Sequence, residues 1–178
     1  MARSSSPLTA EGDPLGADLP AAAREVVAKL TLRPHPEGGF YREVFRDTAT
    51  VLRTPPPDGE RRAAVTLIYF LVAGARPTSW HRVASTEIWH HAGGAPLWLD
   101  IEPAGDPGAG GSATLEAPPL QPPDRSLLLG DPRNLPHPAV GIVPAGAWQR
   151  ARSTGEYSLA TCTVAPGFEF ADFHLRPA

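Results

Sequence analysis

The side chains best suited to chemistry lie together at residues 79–94, where the chain reads SWHRVASTEIWHHAGG. This stretch holds three of the six histidines, together with one glutamate and two tryptophans. An imidazole and a carboxylate that face each other can act as a general acid–base pair or as ligands of a divalent metal. The stretch is therefore either an aromatic hairpin buried in a core or the place where the chemistry occurs.

Strand alternation predicts that His81 and Glu87 face one interior. If one strand ends near His81 and another begins a few residues later, then Glu87, Trp89 and His91 share a face of the second strand. A bulge would turn His90 inward instead of His91, so these two histidines are alternatives. Because an imidazole and a carboxylate are costly to bury without partners, the pair indicates a functional role.

A second part of the site is predicted at residues 141–151, GIVPAGAWQRA. Its Pro-x-Gly sequence marks a tight turn between strands, and Gln149 follows where the next strand begins. An amide oxygen is a weaker ligand than an imidazole, although it serves hard cations. One alternative is therefore a divalent transition metal held by His81, Glu87 and Gln149.

The elements that position these residues are predicted to be one helix and a series of short strands. Apolar spacing in DLPAAAREVVAKL predicts the helix, and Asp18 and Pro20 suit its start. About eight to ten strands are predicted from alternating or continuously apolar segments. These segments include FYREVF, AAVTLIYFLVAG, TEIWHH, APLWLDI, SLLLG, AVGIVPAGAW, EYSLATCTVAP and FEFADFHL. One helix followed by many strands favours a sandwich or barrel, and Pro-rich loops suit a jelly roll.

Length and composition predict one globular domain at residues 18–178, preceded by a disordered tail at residues 1–17. The chain has 178 residues, a net charge of −3 and no Lys/Arg run, so no nucleic-acid partner is expected. No apolar segment is long enough to span a membrane, and no secretory signal is recognised. The single cysteine, Cys162, fits a cytoplasmic protein. Residues 102–125 are dominated by Pro, Gly and small residues, which predicts a long excursion around a short strand, and the sequence leaves open whether this segment is a lid.

Several motifs, in this order, resemble one small family of cupins, the cupin-5 type. They are HPEGGFYRE near the start, WHR…EIWH in the middle, VPAGAWQ later and PGFEFADF near the end. Cupin barrels carry a His-x-His…Glu…Gly motif and a second motif, Pro-x-Gly-x-x-His. Here the corresponding residues are Ser79, His81, Glu87 and Gly94, and then Gln149 after the second turn.

The resemblance implies an all-β cupin double-stranded β-helix (jelly-roll) barrel with a short N-terminal helix, of the sugar-nucleotide-epimerase-like type. It also implies a ligand inside the barrel and a homodimer that exchanges N-terminal strands. Two of the usual histidines are replaced, by Ser79 and Gln149. A conventional site of three histidines and one carboxylate therefore cannot form.

The favoured function is an isomerase or epimerase acting on a carbohydrate-like or oxo-acid substrate. In this hypothesis His81 abstracts a proton next to a carbonyl, Glu87 orients the imidazole, and Tyr41 or Tyr69 supplies the acid. One alternative is a metal-dependent cupin enzyme such as a dioxygenase. Another is a non-catalytic cupin that binds a small ligand.

Further side chains are predicted to hold the substrate. Two arginines could grip an anionic group in a bidentate manner, and two tryptophans could stack on a ring. The predicted substrate-binding set is Arg42, Tyr69, Trp80, Arg82, His91 and Trp148.

Overall fold

The computed structural model describes residues 19–52, 60–104, 125–134 and 136–177. The predicted tail at residues 1–17 and most of the candidate lid at residues 102–125 lie outside these ranges. Helix α1 covers Ala21–Leu30, and the strands are β1 (Arg33–Pro34), β2 (Phe40–Arg46), β3 (Thr50–Leu52), β4 (Arg61–Ala63), β5 (Thr66–Ala73), β6 (His81–Val83), β7 (Thr86–Gly94), β8 (Leu97–Glu102), β9 (Arg125–Leu129), β10 (Val140–Val143), β11 (Trp148–Ser153), β12 (Tyr157–Ala165) and β13 (Phe173–Leu175).

Helix α1 forms where the apolar spacing predicts it and covers the outer side of β5. Ala23 and Val27 are fully buried and pack with Leu71 of β5. The helix ends at Thr31, which has a left-handed φ of 53° and donates its backbone N–H to the carbonyl of Ala28. Burial of this apolar stripe attaches the helix to the barrel.

Two antiparallel sheets form the jelly-roll barrel. The six-stranded sheet has the order β1-β2-β5-β12-β7-β10, and the five-stranded sheet has the order β13-β6-β11-β8-β9. The hairpin of β3 and β4 is separate. The central core combines side chains of both sheets, among them Phe70, Trp89 and Leu99. The fold is therefore the all-β barrel with one short N-terminal helix that was predicted.

The strand count and one segment differ from the prediction. The described residues contain thirteen strands, because β1, β3, β4, β6 and β13 have only two or three residues each. So few positions do not identify a strand from the sequence, although neighbouring residues of a short strand still face opposite sides. The segment FEFADFHL is not one strand: Phe170–Asp172 form a 3₁₀ turn before β13. Its Asp172 is buried against Arg62, which requires the chain to turn there.

None of the helices in the described ranges is long and apolar enough to cross a membrane.

Candidate active site

Residues of both sheets line a cavity of about 210 Å³. Apolar and aromatic side chains form most of its wall, including Tyr41, Ile68, Phe70, Val83, Trp89, Val164 and Phe173. Sites for drug-sized ligands usually occupy roughly 300–1,000 Å³. The cavity is therefore matched to a compact metabolite.

His81 and Glu87 both line this cavity, from β6 of one sheet and β7 of the other. Their exposed fractions are 2% and 6%. Trp89 also lines it, because the alternation along β7 directs Glu87 and Trp89 to the same side. The sequence predicted that His81 and Glu87 face one interior, and both line the same cavity. Their catalytic roles stay predictions.

The direct partner of His81 is Glu37 rather than Glu87. Glu37 Oε2 lies 3.1 Å from His81 Nε2 and 3.3 Å from His35 Nδ1. The carboxyl and both rings are almost completely enclosed. Glu37 therefore connects two imidazoles inside the cavity.

A glycine turn places Glu37 there. Gly38 and Gly39 have φ values of 102° and 71°, a region that favours glycine. The carbonyl of Glu37 accepts the backbone N–H of Ser79 at 2.6 Å, which ties the turn to the chain entering β6. HPEGGFY is thus the segment that delivers the carboxyl to His81.

We expect Gly39→Ala to destabilise the protein by at least about 2 kcal/mol. A Cβ at this position would lie 2.6 Å from the carbonyl oxygen of Leu71, in addition to the strained φ. Gly93→Ala is the matched control, since a Cβ there has no heavy atom within 4 Å. Urea unfolding of the two variants measures the difference. Equal stabilities would contradict the close approach.

Hydrogen bonds determine the tautomers of the two rings. The carbonyl of Ser79 lies 3.1 Å from His81 Nδ1 and can only accept, so Nδ1 carries a proton. His35 Nδ1 accepts the backbone N–H of Glu37 and is therefore unprotonated when the ring is neutral. An ionised Glu37 oxygen would face that lone pair at 3.3 Å. A proton on Glu37 relieves the repulsion and can be donated to either ring.

Glu87 belongs to a second chain of hydrogen bonds. Trp89 Nε1 donates to Gln149 Oε1 at 2.9 Å, and Gln149 Nε2 donates to Glu87 Oε2 at 2.5 Å. Because an indole N–H can only donate, the orientation of the Gln149 amide is set. The buried thiol of Cys162 lines the same cavity and favours the ionised form of Glu87. These partners anchor the carboxyl to the wall beside Trp89.

This arrangement does not fit the predicted metal set of His81, Glu87 and Gln149. The amide oxygen of Gln149, its only suitable ligand atom, is occupied by Trp89. Within the described ranges, no three His, Cys, Asp or Glu side chains are grouped to hold a metal. Ser79, at the other replaced motif position, is exposed. The predicted set of His81, Glu87 and Gln149 is therefore not arranged to hold a divalent transition metal.

Burial in this cavity shifts several pKa values. Loss of hydration raises the pKa of Glu37 to about 8, against the opposing effect of His81. It also raises the pKa of Glu87 to about 7, although the bond from Gln149 favours the ionised form. Burial lowers the pKa of His35 to about 4. At neutral pH the site therefore holds a protonated Glu37, a neutral His35 and a partly ionised Glu87.

The raised pKa values predict that the protein loses stability as pH rises from 6.5 to about 8. Folded Glu37 keeps its proton up to about pH 8, whereas the unfolded carboxyl loses it near 4.5, so its stabilising contribution disappears on the alkaline side. Glu87 acts in the same direction up to about pH 7. The folded state keeps His35 neutral, so His35 lowers the free energy of unfolding only as pH falls below 6.5, where the unfolded imidazole becomes protonated.

Urea unfolding across this pH range measures the loss of stability. Glu37→Gln removes one titrating group and should flatten the dependence, whereas Glu25→Gln on α1 should leave it unchanged. A free energy of unfolding that rises with pH in this range would contradict the assignment.

The chain after β12 closes one side of the cavity with aromatic side chains. Phe168, Phe170 and Phe173 all line it, and the Phe173 ring lies 5.5 Å from the His81 ring. Phe170 stacks near His35 at 5.9 Å and is about half exposed. We call residues 168–173 the aromatic cover.

Two arginines fasten the aromatic cover to the barrel. Arg46 binds the Glu169 carboxylate at 2.7 Å and the carbonyl of Phe168 at 3.0 Å. Arg62 of β4 binds both oxygens of Asp172, at 2.8 and 3.1 Å. Ion pairs therefore hold this side of the cavity in place.

Tyr41 also lines the cavity, and its catalytic role stays a prediction. The six residues predicted to bind substrate are not among the lining residues, which corrects their predicted placement. They are Arg42, Tyr69, Trp80, Arg82, His91 and Trp148.

Each of these six side chains has other contacts. Arg42 lies over the Tyr69 ring, whose side chain packs toward α1. Arg82 lies over Trp148, and Arg150 and Arg176 lie over Trp80, as a continuous set of cation–π contacts. Nε2 of His91 is 3.1 Å from the carbonyl oxygen of Ala95, beyond the part of β7 that faces the cavity. The alternation along β6 already places Arg82 opposite His81.

Glu37 and His35 were missed as central residues because both lie in a turn, where no periodicity gives orientation. The available signal was the pair of glycines directly after Glu37. Adjacent glycines indicate close approach of backbone segments, so they mark the acidic residue beside them as enclosed.

The fold and the site together define a cupin-type jelly-roll barrel with an acid–base cluster in a small interior cavity. The family model described as cupin superfamily (DUF985) matches residues 24–176, and the chain belongs to this family.

Solved structures agree with this family. The chain is similar to a hypothetical protein from Leishmania major, with 33% identity, a TM-score of 0.67 and 85% of each chain covered. It is also similar to a protein from Shewanella oneidensis, with 26% identity, a TM-score of 0.65, and 86% of this chain and 83% of that chain covered. No curated protein matches the sequence significantly.

Proposed function

We propose that this cupin is a small-molecule enzyme that transfers protons at a carbon next to a carbonyl, as an isomerase or epimerase does. The substrate is a carbohydrate-like molecule or an oxo-acid. The observation that carries the proposal is the 3.1 Å contact between Glu37 and His81 in a cavity that also contains Glu87. Carboxyl groups whose pKa values lie near 7 and 8 suit acid–base catalysis at neutral pH.

The two carboxyls support two different roles. Ionised Glu87 accepts the proton from the carbon, and the Glu37–His81 pair donates its proton to the carbonyl oxygen, which forms an enol. Return of the Glu87 proton to the same carbon regenerates the substrate. When that carbon carries a hydroxyl, the enol is an enediol, and transfer of the Glu87 proton to the neighbouring carbon, with the second hydroxyl proton passing to the Glu37–His81 pair, gives the isomer. Solvent exchange of the Glu87 proton then labels the product.

This assignment modifies the sequence-based hypothesis, in which His81 is the base and Glu87 its orienting partner. His81 now acts together with Glu37, which is its hydrogen-bond partner in the structure. Tyr41 lines the same cavity and is the second candidate for the acid.

The test is incorporation of solvent deuterium into candidate sugars and 2-oxo acids, followed by NMR. We expect deuterium at the carbon beside the carbonyl with the native protein and none with His81→Gln. His174→Gln is the control, because His174 is exposed on β13 and absent from the cavity wall. Binding of a candidate without any exchange would contradict an enzyme and favour the non-catalytic alternative.

The predicted homodimer is also a proposal. Val44 and Phe45 on β2 and Val51 and Leu52 on β3 are exposed apolar side chains that suit a subunit contact. Light scattering with size-exclusion chromatography measures the mass, and a monomer at all concentrations would contradict the dimer.

A further inference from the structure

Arg33 differs from the other charged side chains that line the cavity. Arg46 is paired with Glu43 and Glu169, and the interior carboxyls have the partners described above. Within the described part of the chain, the guanidinium of Arg33 contacts no carboxylate. The Cζ atom of the Arg33 guanidinium lies 4.8 Å from the centre of the Tyr41 ring. The cavity wall therefore contains one cation whose charge is not neutralised by a neighbour.

The strand register places this cation at the entrance. Arg33 of β1 is paired directly with Tyr41 of β2, so the two side chains share a face. Tyr41 is buried and Arg33 is exposed, although both line the cavity. A guanidinium resting on an aromatic ring keeps its N–H edge available for a planar anion.

The interior restricts where an anionic ligand can place its charge. Glu37 and Glu87 lie deep in the cavity among apolar walls. An anion there would lose hydration and approach the partly ionised Glu87 carboxylate, which is unfavourable. An anionic substrate therefore keeps its charged end at Arg33 and inserts its uncharged end toward His81.

We propose that Arg33 binds the carboxylate of a small 2-oxo acid at the cavity entrance. This inference rests on the proposed function, which places the carbonyl of the substrate at the Glu37–His81 pair. Of the two proposed substrate classes, it selects the oxo-acids. A carboxylate matches the fork of a guanidinium in a bidentate pair. The small cavity leaves room for a short carbon chain beyond the carboxylate.

The test compares binding of 2-oxobutyrate, 2-butanone and inorganic phosphate by calorimetry or ligand-observed NMR. We expect Arg33→Gln to weaken 2-oxobutyrate binding by about tenfold or more. Arg42→Gln makes the same charge change outside the cavity and should alter binding less than about twofold. 2-Butanone should bind more weakly than the acid and respond to neither variant.

Several results would overturn the inference. The first is that Arg33→Gln and the native protein bind 2-oxobutyrate with equal affinity. The second is that the native protein binds the acid and the ketone equally well. The others are that it does not bind the acid detectably, or that it binds phosphate more tightly than the acid. The two proposals fail separately. Arg33-dependent binding without deuterium exchange would refute only the enzyme, whereas exchange on a neutral sugar that is unaffected by Arg33→Gln would refute only the oxo-acid site.

Discussion

Glu37→Gln is expected to reduce the deuterium-exchange rate by about 10²–10⁴-fold. The amide can still donate a hydrogen bond to His81, so the turn and the barrel should remain folded. It cannot release a proton to a carbonyl oxygen, which removes the acid from the reaction. The rate is measured by NMR with the substrate that the deuterium screen identifies.

The pH profile distinguishes this catalytic role from a structural one. The native protein should show a bell-shaped rate, with limbs near pH 7 and 8 from the coupled carboxyls. Loss of the alkaline limb in the residual activity of Glu37→Gln would identify Glu37 as the acid. Glu25→Gln on the surface of α1 is the control. A Glu37→Gln variant with native activity would remove Glu37 from the mechanism.

Arg62→Met is expected to destabilise the protein by about 3 kcal/mol, because it leaves the buried Asp172 carboxylate without its bidentate partner. The side chains of Arg62 and Asp172 are 8% and 10% exposed. The aromatic cover should also close less firmly, so the KM for the substrate should rise. Urea unfolding and steady-state kinetics measure the two effects.

Arg61→Met is the matched control for this change. Arg61 is the neighbouring residue on β4 and is exposed, with a bond from its Nε to the Thr50 hydroxyl. Its replacement should cost less than about 0.5 kcal/mol. Combining Arg62→Met with Asp172→Leu should recover much of the stability, since the buried carboxylate is then replaced together with its guanidinium partner. If Arg61→Met and Arg62→Met have equal effects, the buried ion pair does not fasten the cover.

The parts of the site on long strands could be predicted from the sequence. Alternation along β7 correctly directs Glu87 and Trp89 to one side, because a bulge at Ala92 occurs only after them. The same argument separates Arg82 from His81 on β6. Period-two patterning therefore gives orientation wherever a strand is long or regular enough.

The remaining parts depend on contacts between distant segments. Glu37 reaches His81 through a turn, and Arg33 reaches the cavity from a strand of two residues. The amide of Gln149 is oriented by Trp89, a residue 60 positions away in the chain. None of these relations has a local pattern, so the sequence pointed to Arg42 and Arg82 for an anionic group and offered a metal ligand only as an alternative role for Gln149.

Cys162 is the chain's one cysteine, and it lies buried in the cavity wall that Glu87 also lines. Burial raises its pKa far above that of a free thiol. Alkylating reagents can therefore reach it only when the interior opens to solvent. The native protein thus contains its own chemical reporter, whose labelling rate measures opening of the interior without any introduced probe: the open population when closing outpaces labelling, and the opening rate when labelling is faster.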